Sequence, residues 1–102
     1  MLPPGNLADV AFRYARWLRE TGQWEAMELF TFVIHPAIGA LAGRSKTHVL
    51  DLHRSHVRRA LAVAIQDGID PELAYGAWED FIAFLDAEGI AHRPLLDDPP
   101  AA

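Results

Sequence analysis

Apolar side chains recur along this chain with the 3.6-residue period of an α-helix, in four stretches separated by glycine, proline and polar breaks. In the first, Leu7, Val10, Ala11, Tyr14 and Leu18 share one face, with Arg13, Arg16 and Glu20 outside it. Asn6 stands where an N-cap side chain accepts from the free amides of the first turn, and Gly22 supplies the stop. The pattern predicts a helix from about Leu7 to Thr21, with Phe12 and Trp17 falling off its main face.

The second stretch, about Trp24 to His35, places Ala26, Met27, Phe30, Val33 and Ile34 on a main face and Leu29 and Phe32 on a second ridge. It runs into Leu29 to Gly43, the densest apolar segment, which holds no Asp, Glu, Lys or Arg. That segment is shorter than the roughly 18–20 residues that cross a bilayer and is interrupted by Pro36, so it reads as the buried centre of the domain. Pro36 disfavours a helical conformation at His35 and lacks an amide donor, predicting a kink or a fresh short helix over Ala37 to Ala42. Thr31 to Ile34 is β-branched and aromatic enough for a strand, but no second convincing strand exists to pair with it.

A polar break at Gly43 to Thr47, with Ser45 or Thr47 as cap, precedes a third predicted helix over about His48 to Asp67. Its principal face carries Leu50, Val57, Ala60, Leu61, Ala64 and Ile65, and a second stripe holds Val49, Leu52 and Val63. After Gly68, the run Asp70-Pro71-Glu72 has an N-cap acid, a proline at the first helical position and a first-turn carboxylate. The helix it starts carries Ala74, Ala77, Trp78, Phe81, Phe84 and Leu85 on one arc, widened by Leu73, Tyr75 and Ile82, and Gly89 closes it. Ile90 to Ala102, with Pro94, Asp97, Asp98, Pro99 and Pro100, cannot continue as helix and reads as a mobile acidic tail, with Ile90, Leu95 and Leu96 available to fold back on the core.

The predicted fold is therefore all-α: a compact bundle of four longer helices plus a short helix or kink near Pro36. It forms a single helical domain over residues 1–102, with irregular ends at about 1–5 and 90–102. A composition of 51% hydrophobic and 23% charged residues is that of a globular chain. The absence of cysteine excludes disulfides, zinc ribbons and thiol nucleophiles. Met1 to Asn6 lacks the basic and apolar regions of a secretory signal, so a cytoplasmic location is expected, with no membrane partner.

Charge adds a polarity to this picture. The net −5 divides into +3 over residues 1–65, from eight Lys or Arg and five Asp or Glu, and −8 over residues 66–102, from one Arg and nine acids. Arg44, Lys46, Arg54, Arg58 and Arg59 gather with three His in a short span that contains only Asp51 as an opposing acid. Arg54 and Arg58, one helical turn apart, can track a nucleic-acid backbone or grip an acidic protein surface. The plainer reading pairs Asp51 with Arg54 and leaves the rest solvated, or docked on the acidic C-terminal helix of the same or a neighbouring chain. No helix-turn-helix glycine or exposed aromatic platform for bases is evident, and the net charge opposes non-specific DNA binding.

His53 and His56, spaced as i and i+3, are the one metal-like constellation, with Glu25 and Glu28 as carboxylates that a neighbouring helix could supply. The spacing differs from the Glu-x-x-His of di-metal bundles, and partly buried, hydrogen-bonded His is the plainer reading. His35, in the apolar run, reads as a satisfied core histidine. Glu79-Asp80 and Glu25-x-x-Glu28 are carboxylate pairs of the kind that solvated helix faces display, and Gly39-x-x-x-Gly43 lacks the Gly-Lys-Ser/Thr ending of a phosphate loop.

The expected function is a non-enzymatic interaction module without a cofactor. It is expected to self-associate, as a homodimer, and to engage an acidic protein surface or nucleic acid through its basic helix. The alternative is a small metal- or ligand-binding protein using His53 and His56. Apolar residues off the main faces, namely Phe12, Trp17, Leu29, Phe32, Leu52, Val63 and Ile82, supply the surplus apolar surface that self-association would cover.

Overall fold

A computed structural model describes residues 5–96 and shows the all-α fold. Helix α1, Leu7–Glu20, is capped by Asn6, whose Oδ1 accepts from the Asp9 amide at 3.1 Å. Its buried face is Leu7, Val10, Ala11, Tyr14 and Leu18, the set its periodicity predicts.

Helix α2 runs unbroken from Trp24 to Ala42. Two α-helical ends, Trp24–Leu29 and His35–Ala42, flank a π-helical turn at Phe30–Ile34. The short helical segment expected near Pro36 is present, with the proline in its first turn, but it is joined to the preceding helix through the π turn, and the strand alternative at Thr31 to Ile34 is removed. The wider turn lets the His35 amide reach back to the Phe30 carbonyl, and the loosened coil admits the proline ring and its missing N–H without ending the helix. By length and composition α2 could cross a membrane. One face of it is placed in the domain core, where Phe30, Val33, Ile34, Ala37, Ile38 and Leu41 are all buried, whereas Trp24 and Phe32 are exposed. His35, expected in that core, is exposed, because the buried positions 30, 33, 34, 37, 38 and 41 keep the spacing of one helix face and residue 35 falls outside it.

The third helix is shorter than its pattern suggested. Val49–Asp51 forms a single 3-10 turn, Leu52 and His53 are extended, and α3 spans Arg54–Gln66. The break is held by local side chains: the Asp51 carboxylate accepts from the His48 amide at 3.1 Å, and His48 Nδ1 accepts from the Leu50 amide at 3.0 Å. Val49 and Leu52 are both fully buried, whereas Leu50 and Ile65, assigned to the principal face, are exposed. Just before the 3-10 turn, an isolated antiparallel bridge joins Asn6 to His48, with Leu7 donating to the Thr47 carbonyl at 2.7 Å and Val49 to the Gly5 carbonyl at 2.8 Å.

Helix α4, Pro71–Ala87, starts as predicted: Asp70 Oδ1 accepts from the Glu72 amide at 2.9 Å. It buries Ala74, Ala77, Trp78, Phe81, Phe84 and Leu85. The ends of α1, α3 and α4 share one device, a left-handed glycine at Gly22, Gly68 and Gly89, after which Gln23, Ile69 and Ile90 donate back to Leu18, Ala64 and Leu85. Beyond α4 the chain folds back, and Leu95 enters the core at 2% exposure. The expected irregular lead-in over residues 1–4 and the acidic end over residues 97–102 lie outside the described residues.

Tyr14 is the hub of the aromatic packing, with its ring 5.5 Å from Phe30, 5.2 Å from Phe81 and 5.1 Å from Phe84. It joins α1, α2 and α4. Arg13 adds a surface tie from α1 to Glu88 at 3.4 Å.

Candidate functional site

The basic cluster is split by α3 into two surfaces. Arg44 and Arg59, with His56, rim a groove of about 150 Å³ between α2 and α3, whose floor and walls include Phe32, Pro36, Ala40 and Val63. Arg54 and Arg58 face the other flank, where they line a shallow hollow with Ser55 and with Arg93 of the returning C-terminal segment. Consecutive helical residues project about 100° apart, which sends Arg58 and Arg59 to different sides. Lys46 is exposed in the connection before the 3-10 turn and lines neither surface.

The groove is apolar with a cationic edge. Phe32 is 60% exposed and Val63 49%, so two large apolar side chains stand open to water beside it. On the other flank the Arg93 Nε donates to the Leu50 carbonyl at 2.7 Å, while the buried Arg54 Nε has no hydrogen-bond partner. Asp51 is committed to the His48 amide, and among the described residues no ion pair joins it to Arg54.

His53 and His56 do not share a helix side. His53 is the N-cap residue of α3, in extended conformation, and its backbone N–H donates to His56 Nδ1 at 2.9 Å. The rings lie 5.7 Å apart at a steep angle. The pair thus closes a helix end. Among the described residues no three His, Asp or Glu side chains converge as metal ligands, so Glu25 and Glu28 do not complete a site around the imidazoles. The pair's chemistry was legible as a polar cluster, but its capping role depends on the helix break, which the apolar period conceals.

A third surface lies between α1 and α4, unmarked by sequence motifs. Tyr14, Trp17 and Phe84 wall a hollow whose other lining residues include Gln23, Asp80 and Glu88. Burial, and then the charge of Asp80, push the Tyr14 hydroxyl up to about 12. The surplus aromatic Trp17 and the adjacent acids Glu79-Asp80 were each visible in the sequence. Their juxtaposition across two helices was not.

Known protein families, curated proteins and solved structures contain no match to this chain. Its functional reading rests on geometry.

Two histidines give the domain opposite pH responses. His92 Nε2 lies 2.7 Å from Asp86 Oδ1 and its Nδ1 2.8 Å from the Arg93 carbonyl. Burial works to lower its pKa, but these two bonds and the Asp86 charge raise it above 6.5. Its stabilisation is complete below 6.5 and is lost as pH rises through the folded-state value. Burial, His53 and Arg44 lower the pKa of His56 from 6.5, in keeping with an Nδ1 that must stay unprotonated to accept the His53 amide. Its contribution is complete above 6.5 and is lost as pH falls through the folded-state value. Denaturation of His92→Gln and His56→Gln at about pH 5.5 and about pH 8 is therefore expected to show the first variant destabilised more at the lower pH and the second more at the higher.

Proposed function

We propose that the protein is a non-enzymatic interaction module that pairs with a second copy of itself across the α2–α3 groove. The exposed Phe32 beside that apolar groove carries the reading. Around Pro36 the face is self-complementary: Phe32 precedes it and Ala40 follows it by one four-residue step, and Glu28 precedes and Arg44 follows by two. Antiparallel packing about a two-fold axis at Pro36 sets the large Phe32 against the small Ala40 and the Glu28 carboxylate against the Arg44 guanidinium, each pair occurring twice. Such pairing meets the basic groove with an acid from the same helix. Leu52, counted among the surplus apolar residues from sequence, is fully buried and takes no part.

Sedimentation equilibrium or light scattering at about 100 μM, spanning weak affinities, is expected to give a dimer. Arg44→Glu should weaken it by about tenfold or more, because each of two pairs becomes a like-charge contact. Combining it with Glu28→Arg should restore dimerisation, whereas Arg58→Glu, on the other flank of α3, should leave it unchanged. A wild-type monomer at that concentration, or a charge swap that restores nothing, would sink this assignment.

A further inference from the structure

We infer that the aromatic, acidic hollow between α1 and α4 binds an organic cation, the ammonium of an alkylamine or of a lysine side chain. The site is separate from the α2–α3 groove and does not depend on dimerisation. Its wall is a contiguous set of rings, with Tyr14 and Trp17 6.1 Å apart, Trp17 and Phe84 5.9 Å, and Tyr14 and Phe84 5.1 Å. Its volume, about 440 Å³, falls within the range of small-ligand sites.

The chemistry selects charge and shape together. Of the three rings Trp17 is the one open to water, at 42% exposure, and its face presents negative quadrupole potential to a cation above the buried Tyr14 and Phe84, while Asp80 and Glu88 add full negative charges, so an anion is disfavoured. A hard metal ion would want several converging oxygen ligands, and among the described residues no such group exists. A cation with an apolar body satisfies both the rings and the carboxylates. Glu88 is shared with Arg13 at 3.4 Å, whereas among the described residues Asp80 is in no ion pair, which makes Asp80 the principal counter-charge.

Tyr14 is only 1% exposed, yet it lines the hollow. A phenol oxygen at this position can accept from an ammonium N–H. Asp80 also lines an adjoining hollow with Trp24 and Glu25. A lysine within a peptide could extend along that second surface, which a free amine would not use.

The test is an NMR titration of the full chain, following the Trp17 indole N–H, with tetramethylammonium, butylammonium and a blocked Ala-Lys-Ala peptide as probes. Trp17 is 42% exposed and Asp80 lies on the surface, so variants at both should fold, which circular dichroism will establish. Saturable shifts are expected with at least one probe. Asp80→Asn should weaken binding by about tenfold and Trp17→Leu, followed through the Tyr14 ring protons, by roughly threefold. Tighter binding of the peptide than of butylammonium identifies the lysine side chain as the ligand, and equal or weaker binding identifies the free amine. The assignment is overturned if no probe gives a saturable shift up to about 50 mM, which covers affinities weaker than millimolar, or if Asp80→Asn leaves the affinity unchanged.

Discussion

Trp78→Ala is expected to cost about 3–5 kcal/mol of folding stability, the range for removing a large aromatic side chain from a packed core. Trp78 is fully buried, and its ring lies 6.0 Å from Phe81 in edge-to-face geometry. The truncation leaves a cavity that helices tied together by Tyr14, Phe30 and Phe81 cannot readily close. Against a total stability of about 5–15 kcal/mol, such a loss brings the domain close to unfolding at moderate temperature. Trp78→Phe should behave differently. The indole Nε1 is buried without a hydrogen-bond partner, and a phenylalanine removes that unpaired donor while keeping most of the ring. Relief of a group that costs about 1–3 kcal/mol to leave unpaired should offset much of the smaller cavity. Urea denaturation monitored by circular dichroism is expected to rank wild type and Trp78→Phe within about 1–2 kcal/mol of each other, and Trp78→Ala well below both. A loss for Trp78→Phe well above about 2 kcal/mol would show that relief of the indole N–H offsets nothing.

The helices that could be read from the sequence are those whose ends and faces agree. In α4 the Asp70-Pro71-Glu72 start, the buried arc ending at Leu85 and the left-handed Gly89 all specify the same segment, and α1 is equally consistent from Asn6 to Gly22. The start of α3 is where the signals conflict. Val49 and Leu52 are three residues apart, a spacing shared by a 3-10 turn and an α-helix, so their burial fits either conformation. The decision falls to His48, Asp51 and His56, whose side chains bond nearby amides and stop the chain from winding as one helix. A period of apolar residues contains no information about those bonds.

Pro36 marks an irregularity that was legible, though its form was not. Its lost donor and bulky ring predict a kink or a fresh short helix, and an α-helical segment does start at His35, joined to the preceding one by a π turn that widens the coil just before it. This matters for the proposed dimer face. A π turn advances more residues per revolution than an α turn, which reduces the drift of the four-residue ridge carrying Phe32, Pro36 and Ala40 toward one groove, with Arg44 just beyond the helix end lining the same groove. The basic residues were legible by type but not by grouping. Arg44 meets Arg59 across a groove, and Arg93, 35 positions beyond Arg58, joins the opposite flank only because the C-terminal segment turns back.

That return makes Leu95→Ala the second large expected loss, at about 2–5 kcal/mol. Pro94 and the end of α4 argue against regular structure here, and a segment with no helix or strand of its own is normally among the first to fray. Leu95 is nevertheless 2% exposed and belongs to the main hydrophobic cluster. The approach to it is fixed at successive points: Ile90 donates to the Leu85 carbonyl at 2.9 Å, His92 meets Asp86, and Arg93 donates to the Leu50 carbonyl at 2.7 Å. The polar anchors lie at the surface, with Arg93 exposed and His92 partly buried, and should individually contribute little. Arg93→Ala is expected to cost about 0.5–1.5 kcal/mol, the net value of an ordinary hydrogen bond. Leu95 differs because its removal empties a core position and frees the anchored chain together. Denaturation of both variants tests the ranking, and hydrogen exchange of the Ile90 amide should accelerate in Leu95→Ala beyond what the global loss of stability requires. A cost below about 0.5 kcal/mol would return Leu95 to the surface and make the segment an appendage. A cost in the expected range makes it a closing element of the bundle, holding Arg93 beside Arg54 and Arg58.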